Sequence, residues 1–208
     1  MKHKVSNNNV PAVINTANAF AAAGSELGGS SLPIMKLSKS GIWVTGSENM
    51  EVAETRYAAD VQGAQRGFVC FVGGEVIDEA MVPVALGEVI LPGNLPDHGP
   101  YEAGDGWQPC ASIQLRAIET GEEFIFKPTS HGGRAAIGAL LTAYSFRLIA
   151  GKGGIPIVDL AVTSYEHRRY GTVVKPVFRI VSWQDGESLA SGGGEKRGGE
   201  FPDDTVPF

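Results

Sequence analysis

The order of strand-like and helix-like patterns in the second half of the chain constrains the fold more than any other feature. Residues 111–118 alternate between apolar and polar side chains, and residues 123–127 follow after a short turn, which predicts an antiparallel hairpin. Residues 134–150 then show helical spacing, and residues 155–162 and 176–183 are two further strand-like segments. A single helix is therefore expected between a hairpin and a final pair of strands.

This helix is predicted to pack one broad apolar stripe against the strands. The stripe consists of Ile137, Leu140, Leu141, Tyr144 and Leu148. Thr129 and Ser130 are suitable N-caps, because their hydroxyl groups accept hydrogen bonds from the first backbone N–H groups of a helix. Gly151 is a suitable residue to end it.

The first half of the chain adds short strands and one long loop. Residues 41–45 and 67–72 are β-rich, and residues 92–109 form a loop rich in Pro, Gly and Asp. A helix between the third and fourth strands of a five-stranded Greek-key barrel is the arrangement of the OB-fold. We therefore predict a mainly β protein with one helix, built as an OB-fold with insertions, although small α+β sheets give similar patterns.

Composition divides the chain into three parts. Residues 1–35 are interpreted as an N-terminal extension that is flexible in part, residues 36–185 as the OB-fold domain, and residues 186–208 as a Gly-rich tether with an acidic tip. From residue 188 onward most side chains are small or charged, and they cannot bury enough apolar surface to offset the entropy of ordering. The tail is therefore expected to be disordered.

The net charge of −6 conceals opposite charges in neighbouring segments. Residues 126–182 carry eight basic and two acidic side chains, whereas residues 183–208 carry two basic and six acidic ones. A basic block followed by an acidic tail indicates a polyanionic partner for the domain. An ordinary mixed surface would give the same counts.

Two segments of the basic block contain the candidate binding residues. Residues 164–171 hold two Tyr, one His and two Arg side chains between the last two predicted strands, where an OB-fold borders its binding groove. Arginine neutralises phosphate, and aromatic rings stack on bases of any identity. Residues 130–134 precede the helix, with glycines that would let a phosphate approach backbone N–H groups. A solvated loop with packed aromatics and a flexible start of the helix are the alternatives without a ligand.

The residues predicted to bind single-stranded DNA are Lys127, His131, Arg134, Tyr165, His167, Arg168, Arg169, Tyr170 and Lys175, together with Trp107 as an exposed ring of the long loop. Phe and Trp side chains at alternating positions of the strands are instead assigned to the core.

The sequence offers no catalytic or metal-binding pattern. Cys70 and Cys110 belong to no CxxC pair, and His98 has only Asp97 beside it. No GxSxG, HExxH or Gly-Lys-Ser/Thr motif occurs. We therefore expect no enzyme, no metal and no other cofactor.

No apolar run approaches the roughly 18–20 residues of a membrane span, and residues 7–9 are Asn where a signal peptide would be apolar. A cytoplasmic protein that does not bind membranes is expected.

The last eight residues, FPDDTVPF, form a second candidate binding element. An apolar end beside carboxylates suits a pocket rimmed by Arg or Lys. Asp203, Asp204, Pro207 and Phe208 resemble the acidic C-terminal tip of bacterial single-stranded DNA-binding proteins, typically Asp-Asp-Asp-Ile-Pro-Phe, and the Gly-rich tether resembles theirs too. Thr205 and Val206 depart from that pattern. The resemblance implies partner binding by the tail residues Asp203, Asp204, Val206, Pro207 and Phe208.

Residues 107–183 are similar to a family found in phages and prophages. The matching stretches are FKPTSHGG at 126–133, SYEHRRYG at 164–171 and KPVF at 175–178, followed by Trp183. The domain lacks the usual N-terminal sequence of bacterial single-stranded DNA-binding proteins. This similarity implies a viral or prophage origin, and with it the cytoplasm of a bacterial host.

Three functional hypotheses follow. The first is a phage-type protein that coats single-stranded DNA with little sequence specificity and recruits replication, recombination and repair proteins through its tail. The second is an interaction adaptor whose tail mimics the host tip while the domain binds another protein. The third is an enzyme acting on nucleic acid, for which the sequence provides no acid, base or metal set. Assembly into a homo-oligomer is left open.

Overall fold

The computed structural model describes residues 32–168 and 171–186. Within these ranges the chain is mainly β with one α-helix, as predicted. The strands are β1 (Ile34–Leu37), β2 (Trp43–Thr45), β3 (Met50–Glu51), β4 (Arg56–Ala59), β5 (Gln65–Val72), β6 (Glu75–Pro83), β7 (Gly106–Ala117), β8 (Glu123–Phe126), β9 (Ile155–His167) and β10 (Gly171–Gln184), and the helix is α1 (His131–Ile149). Strand β1 crosses the predicted boundary at residue 36.

The long strand β7 organises the sheet. Its second half pairs with β4 on one side and β8 on the other, and its first half pairs with β5, which pairs in turn with β6. The order of the main sheet is β10-β9-β4-β7-β8-β1-β2-β3, and β5 and β6 branch from β7. The predicted hairpin of β7 and β8 is confirmed. The sheet is mixed because β1 runs parallel to β8, while the other pairs are antiparallel.

Strands β4 and β5 follow each other directly along the chain and are separated only by a short turn. The Asp60 carboxylate accepts a hydrogen bond from the Gly63 N–H at 3.0 Å, which stabilises that turn. Further along, a Cβ atom at Gly67 would lie 1.9 Å from the carbonyl oxygen of Ala80. Only glycine therefore allows β5 and β6 to approach at this point.

Helix α1 covers the sheet with the face that its periodicity predicts. Ile137, Leu140 and Tyr144 are buried, and the Ser130 hydroxyl caps the helix by accepting from the Gly133 N–H at 3.2 Å. The predicted stripe is too long, because Leu148 is 50% exposed. Periodicity identifies the face on which a residue lies, but it cannot show where the underlying sheet stops covering the helix.

Three aromatic rings connect strands from distant positions in the sheet order. The ring centroid of Trp43 in β2 lies 5.3 Å from that of Phe126 in β8 and 5.8 Å from that of Phe178 in β10. The centroids of Phe126 and Phe178 are 5.5 Å apart. The sheet therefore curls around a shared aromatic core.

The predicted closed barrel of five strands is not confirmed. Among the described strands, β10 pairs only with β9, and the path ends at β3 on the other side. Strands β1 and β2 extend the sheet beyond β8. Core side chains of β2 and β10 are in contact, but no backbone hydrogen bonds join these two strands. The described sheet is open.

Candidate nucleic-acid interface

The segment that joins β8 to α1 carries three of the predicted binding residues. His131 is exposed at the first position of the helix. The Nε atom of Arg134 donates to the carbonyl oxygen of Thr129 at 3.1 Å, which holds the guanidinium group at the start of the helix. Lys127 is less available, because its ammonium group pairs with the Glu79 carboxylate of β6 and its side chain is only 18% exposed.

Close packing requires glycine at position 133 and leaves little room for a side chain at position 132. A Cβ atom at Gly133 would lie 2.3 Å from the Cβ of Pro128, and one at Gly132 would lie 3.0 Å from the Cβ of Lys175. The N–H of Gly133 already donates to Ser130, so it is not open to a phosphate as the sequence suggested. The contact of Gly132 with Lys175 brings strand β10 against the start of α1.

The register of the β9–β10 hairpin separates its side chains into two faces. Residue 165 faces residue 173, and residue 163 faces Lys175. Since facing residues point to the same side of a sheet, Tyr165, His167 and Lys175 share one face. Val162 and Val174 lie on the opposite face, where they meet the turn between β1 and β2.

The first of these faces presents rings and cations to solvent. Tyr165 is 48% exposed, its ring centroid lies 6.4 Å from that of His167, and the Nζ of Lys175 lies 5.9 Å from the Tyr165 ring centroid. Arg168 follows directly at the exposed end of β9. This arrangement can neutralise phosphate and stack on a base at the same time.

The two groups join where Lys175 contacts the start of α1. We call the combined set the basic–aromatic surface; it consists of His131, Arg134, Tyr165, His167, Arg168 and Lys175. Two basic residues of this region also act electrostatically on the buried thiol of Cys110. Burial raises the pKa of the Cys110 thiol, while Lys127 and Arg134 act in the opposite direction.

Trp107 lies apart from this surface, and its predicted place in the long loop is wrong. It belongs to β7 and is half-buried. Its Nε1 atom donates to the carbonyl oxygen of Pro96 at 2.8 Å, and its ring centroid is 5.8 Å from that of His98. The Nε2 atom of His98 lies 2.8 Å from the Asp78 carboxylate, and this hydrogen bond holds the pKa of Asp78 below its usual value. Trp107 therefore anchors the loop.

The remaining predicted residues lie outside the described part of the chain. They are Arg169, Tyr170, Asp203, Asp204, Val206, Pro207 and Phe208.

A cavity of about 700 Å³ opens between β9 and the segment that leads into β4. Its lining includes Glu51, Glu54, Glu119 and Asp159 against one base, Arg56, whose Nε lies 3.8 Å from the Asp159 carboxylate. This excess of acids is unfavourable for a polyanion. The walls of the cavity come from separate segments of the chain, so the sequence alone does not reveal it. The only related signal is the excess of acidic residues in the first half of the chain.

Within residues 32–168 and 171–186, no group of three His, Cys, Asp or Glu side chains is placed to hold a metal ion. The same ranges contain no helix long and apolar enough to cross a membrane.

Comparison of the chain with protein families, with curated proteins and with solved structures found no match. A functional conclusion must therefore come from the chemistry of the surface itself.

Proposed function

We propose that this chain is a single-stranded DNA-binding protein that coats the strand with little sequence specificity during phage DNA replication and recombination. The observation that carries the proposal is the basic–aromatic surface, where the exposed ring of Tyr165 lies beside the ammonium group of Lys175. Arg168 and Lys175 neutralise successive phosphates, and the rings of Tyr165 and His167 stack on bases of any identity.

The strand connectivity supports an OB-type arrangement for this domain. With β4 and β5 taken as one interrupted strand, the order β10-β9-β4-β7-β8 with α1 between β8 and β9 agrees with a five-stranded Greek-key plan. Strands β1 and β2 then occupy the place beside β8 where such a barrel would close. The hairpin of β9 and β10 borders the binding groove in this interpretation.

The acidic tip at residues 201–208 supplies the second half of the proposal. Its resemblance to the tip of bacterial single-stranded DNA-binding proteins supports recruitment of replication, recombination and repair proteins. The host cytoplasm is the compartment in which such a protein would act.

The interaction adaptor remains a second candidate function because of one observation. The ion pair between Lys127 and Glu79 reduces the positive charge available to DNA next to the basic–aromatic surface. In an adaptor, the domain would bind another phage protein, and only the tail would connect it to DNA metabolism.

A fluorescence titration with labelled poly-dT at two salt concentrations tests the proposal. We expect tight binding that weakens steeply with salt. Replacing Arg168 and Lys175 together by Ala should lower the affinity and reduce the slope of log K against log salt by about 1.4, at about 0.7 per phosphate contact on single strands. Alanine at position 175 retains the Cβ atom that packs on Gly132.

The matched control replaces Lys36 and Lys152 by Ala, which removes the same charge from exposed positions on β1 and after α1. We expect this control to keep most of the slope. No binding at low salt by the intact chain would remove the DNA-binding function in favour of the adaptor. Equal effects of the two double variants would show that charge alone, and not this surface, drives binding.

A further inference from the structure

The side of α1 that faces away from the sheet carries no charge over four turns. Because the helix repeats every 3.6 residues, Ile137, Leu140 and Tyr144 face the core, and the opposite side forms a stripe that we call the outward stripe. It consists of Ala135, Gly138, Ala139, Thr142, Phe146 and Ile149. A surface helix normally presents charged or polar side chains to water here. The stripe therefore resembles a face that is covered.

The hydroxyl groups near the middle of this stripe are already satisfied. The Thr142 hydroxyl donates to the carbonyl oxygen of Gly138 at 2.9 Å, and the Ser145 hydroxyl donates to that of Thr142 at 2.8 Å. Covering the stripe would therefore leave neither hydroxyl without a hydrogen bond, which is the usual penalty for burying a polar group.

The stripe has a large end and a small end. Phe146 is 67% exposed and Ile149 is 82% exposed, both near the C-terminus of the helix. Ala135, Gly138 and Ala139 lie near its N-terminus, and a Cβ atom at Gly138 would meet nothing within 4 Å. The small end leaves room for a large side chain from outside.

We propose that α1 packs antiparallel against α1 of a second copy of this chain, about a twofold axis that passes near Thr142. In this arrangement Gly138 faces Phe146 of the second copy, and Ala135 faces its Ile149. Each large side chain fills the space above a small residue, and the same contacts occur twice, as a twofold interface requires. The stripe is complementary to itself only in this orientation.

Charge and size both indicate that the association of two copies is weak. Each chain carries a net charge of −6, and a contact made through uncharged residues keeps that repulsion away from the interface. The stripe runs from Ala135 to Ile149, which is about 22 Å of helix with a width of about 10 Å, so the contact covers about 220 Å² of each copy. Stable complexes bury about 800 Å² per partner. The dimer should therefore form and dissociate with concentration.

Sedimentation velocity of the full chain over a concentration series tests the proposal. We expect a monomer–dimer equilibrium. Ile149→Glu should weaken it by more than about tenfold, because the new carboxylate would be buried without a partner. Leu148→Glu is the matched control, since Leu148 is also half-exposed at the same helix end but lies on another side of the helix. It should leave the equilibrium within about threefold.

An exchange of large and small residues tests the pairing itself. Gly138→Leu and Phe146→Ala should each weaken the dimer, and the double variant should restore it, because the large side chain has moved to the opposite helix. A Thr142→Cys variant should form a disulfide-linked dimer under mild oxidation, whereas Glu48→Cys, in an exposed turn away from α1, should not.

A wild-type chain that stays monomeric at every concentration would overturn the proposal. Equal effects of Ile149→Glu and Leu148→Glu would overturn it as well, and so would a failure of the double variant to recover. Circular dichroism of each variant confirms folding, so that a loss of association is not mistaken for unfolding. Binding of another protein to the stripe of a monomeric chain would also count against a second copy.

Discussion

The exposure and pairing of individual side chains decide what the β9–β10 hairpin can bind. Tyr165 is half-exposed and has a cation beside it, whereas Lys127 has a carboxylate partner. A ring in solvent can stack on a base, and a paired ammonium group must first leave its partner. The proposed interface therefore depends more on which groups are accessible than on how many are present.

Replacing Tyr165 by Ala should weaken binding to poly-dT without changing its salt dependence. Loss of one stacked base costs about 1–3 kcal/mol, whereas the slope counts phosphate contacts. Tyr165→Phe is the control and should bind almost as well as the wild type, because the ring face is retained. Fluorescence titration at several salt concentrations measures both quantities. A changed slope, or equal losses for the Ala and Phe variants, would contradict stacking by this ring.

Replacing Glu79 by Gln should release Lys127 and strengthen DNA binding. One additional phosphate contact steepens the slope of log K against log salt by about 0.7. Glu75→Gln removes the same charge from the beginning of β6 and serves as the control. If the two variants behave alike in the same titration, the gain comes from net charge, and Lys127 does not contact the strand.

At the scale of elements, the start of α1 joins the basic–aromatic surface to the core. Gly133 packs on Pro128 and donates to Ser130, while Gly132 packs on β10. The cap, the helix and the hairpin are thereby held in one arrangement. The position of Arg134 and Lys175 relative to each other depends on these contacts.

Gly133→Ala should lower the stability of the domain by about 1–3 kcal/mol, because the new methyl group would overlap with Pro128. Gly138→Ala, in the same helix, should instead raise stability by up to about 1 kcal/mol, since its Cβ meets open space and alanine favours the helix. Thermal unfolding at low protein concentration compares the two, so that the proposed dimer does not contribute. A stable Gly133→Ala variant would show that the helix start can shift.

At the scale of the whole molecule, a basic surface and an acidic tail belong to the same chain. Residues 183–208 carry six acidic side chains, and the basic block precedes them. A tethered segment of opposite charge competes with phosphate at high effective concentration. The affinity of the full chain for DNA should therefore contain a contribution from its own tail.

Deleting residues 201–208 should tighten DNA binding at low salt and have little effect at high salt, because salt screens the competition.

Deleting only Pro207 and Phe208 should leave the melting temperature unchanged and abolish capture of the host proteins that bind the tip of single-stranded DNA-binding proteins. Deleting residues 191–194 shortens the tether but keeps the tip, and this control should keep capturing them. A fall of several degrees in the melting temperature would instead show that the tip packs on the domain.

Local patterns were sufficient for the order and type of the elements of the second half, whereas β9 and β10 run past their predicted ends, to His167 and from Gly171. The alternation of β7, the turn before β8, the capping by Ser130 and the buried face of α1 all depend on residues within one or two turns of each other. Backbone hydrogen bonding and side-chain periodicity act at that range. The sequence placed Tyr165 in a loop between two strands, whereas the structure extends β9 and β10 through that loop and so brings Tyr165 beside Lys175.

The tertiary structure alone decided the open sheet, the pairing of Lys127 with Glu79, the anchoring of Trp107 by Pro96, and the exposure of Leu148. The contact of Trp107 with Pro96 spans 11 residues of a loop without regular structure, and the others depend on segments far away in the chain. Strand β1 pairs with β8 and β2 pairs with β1 although both strands lie far before β8 in the chain, and no local pattern specifies that pairing. Sequence determined the face of each element on which a side chain lies, and packing between remote segments determined which of those faces are covered and which side chains meet.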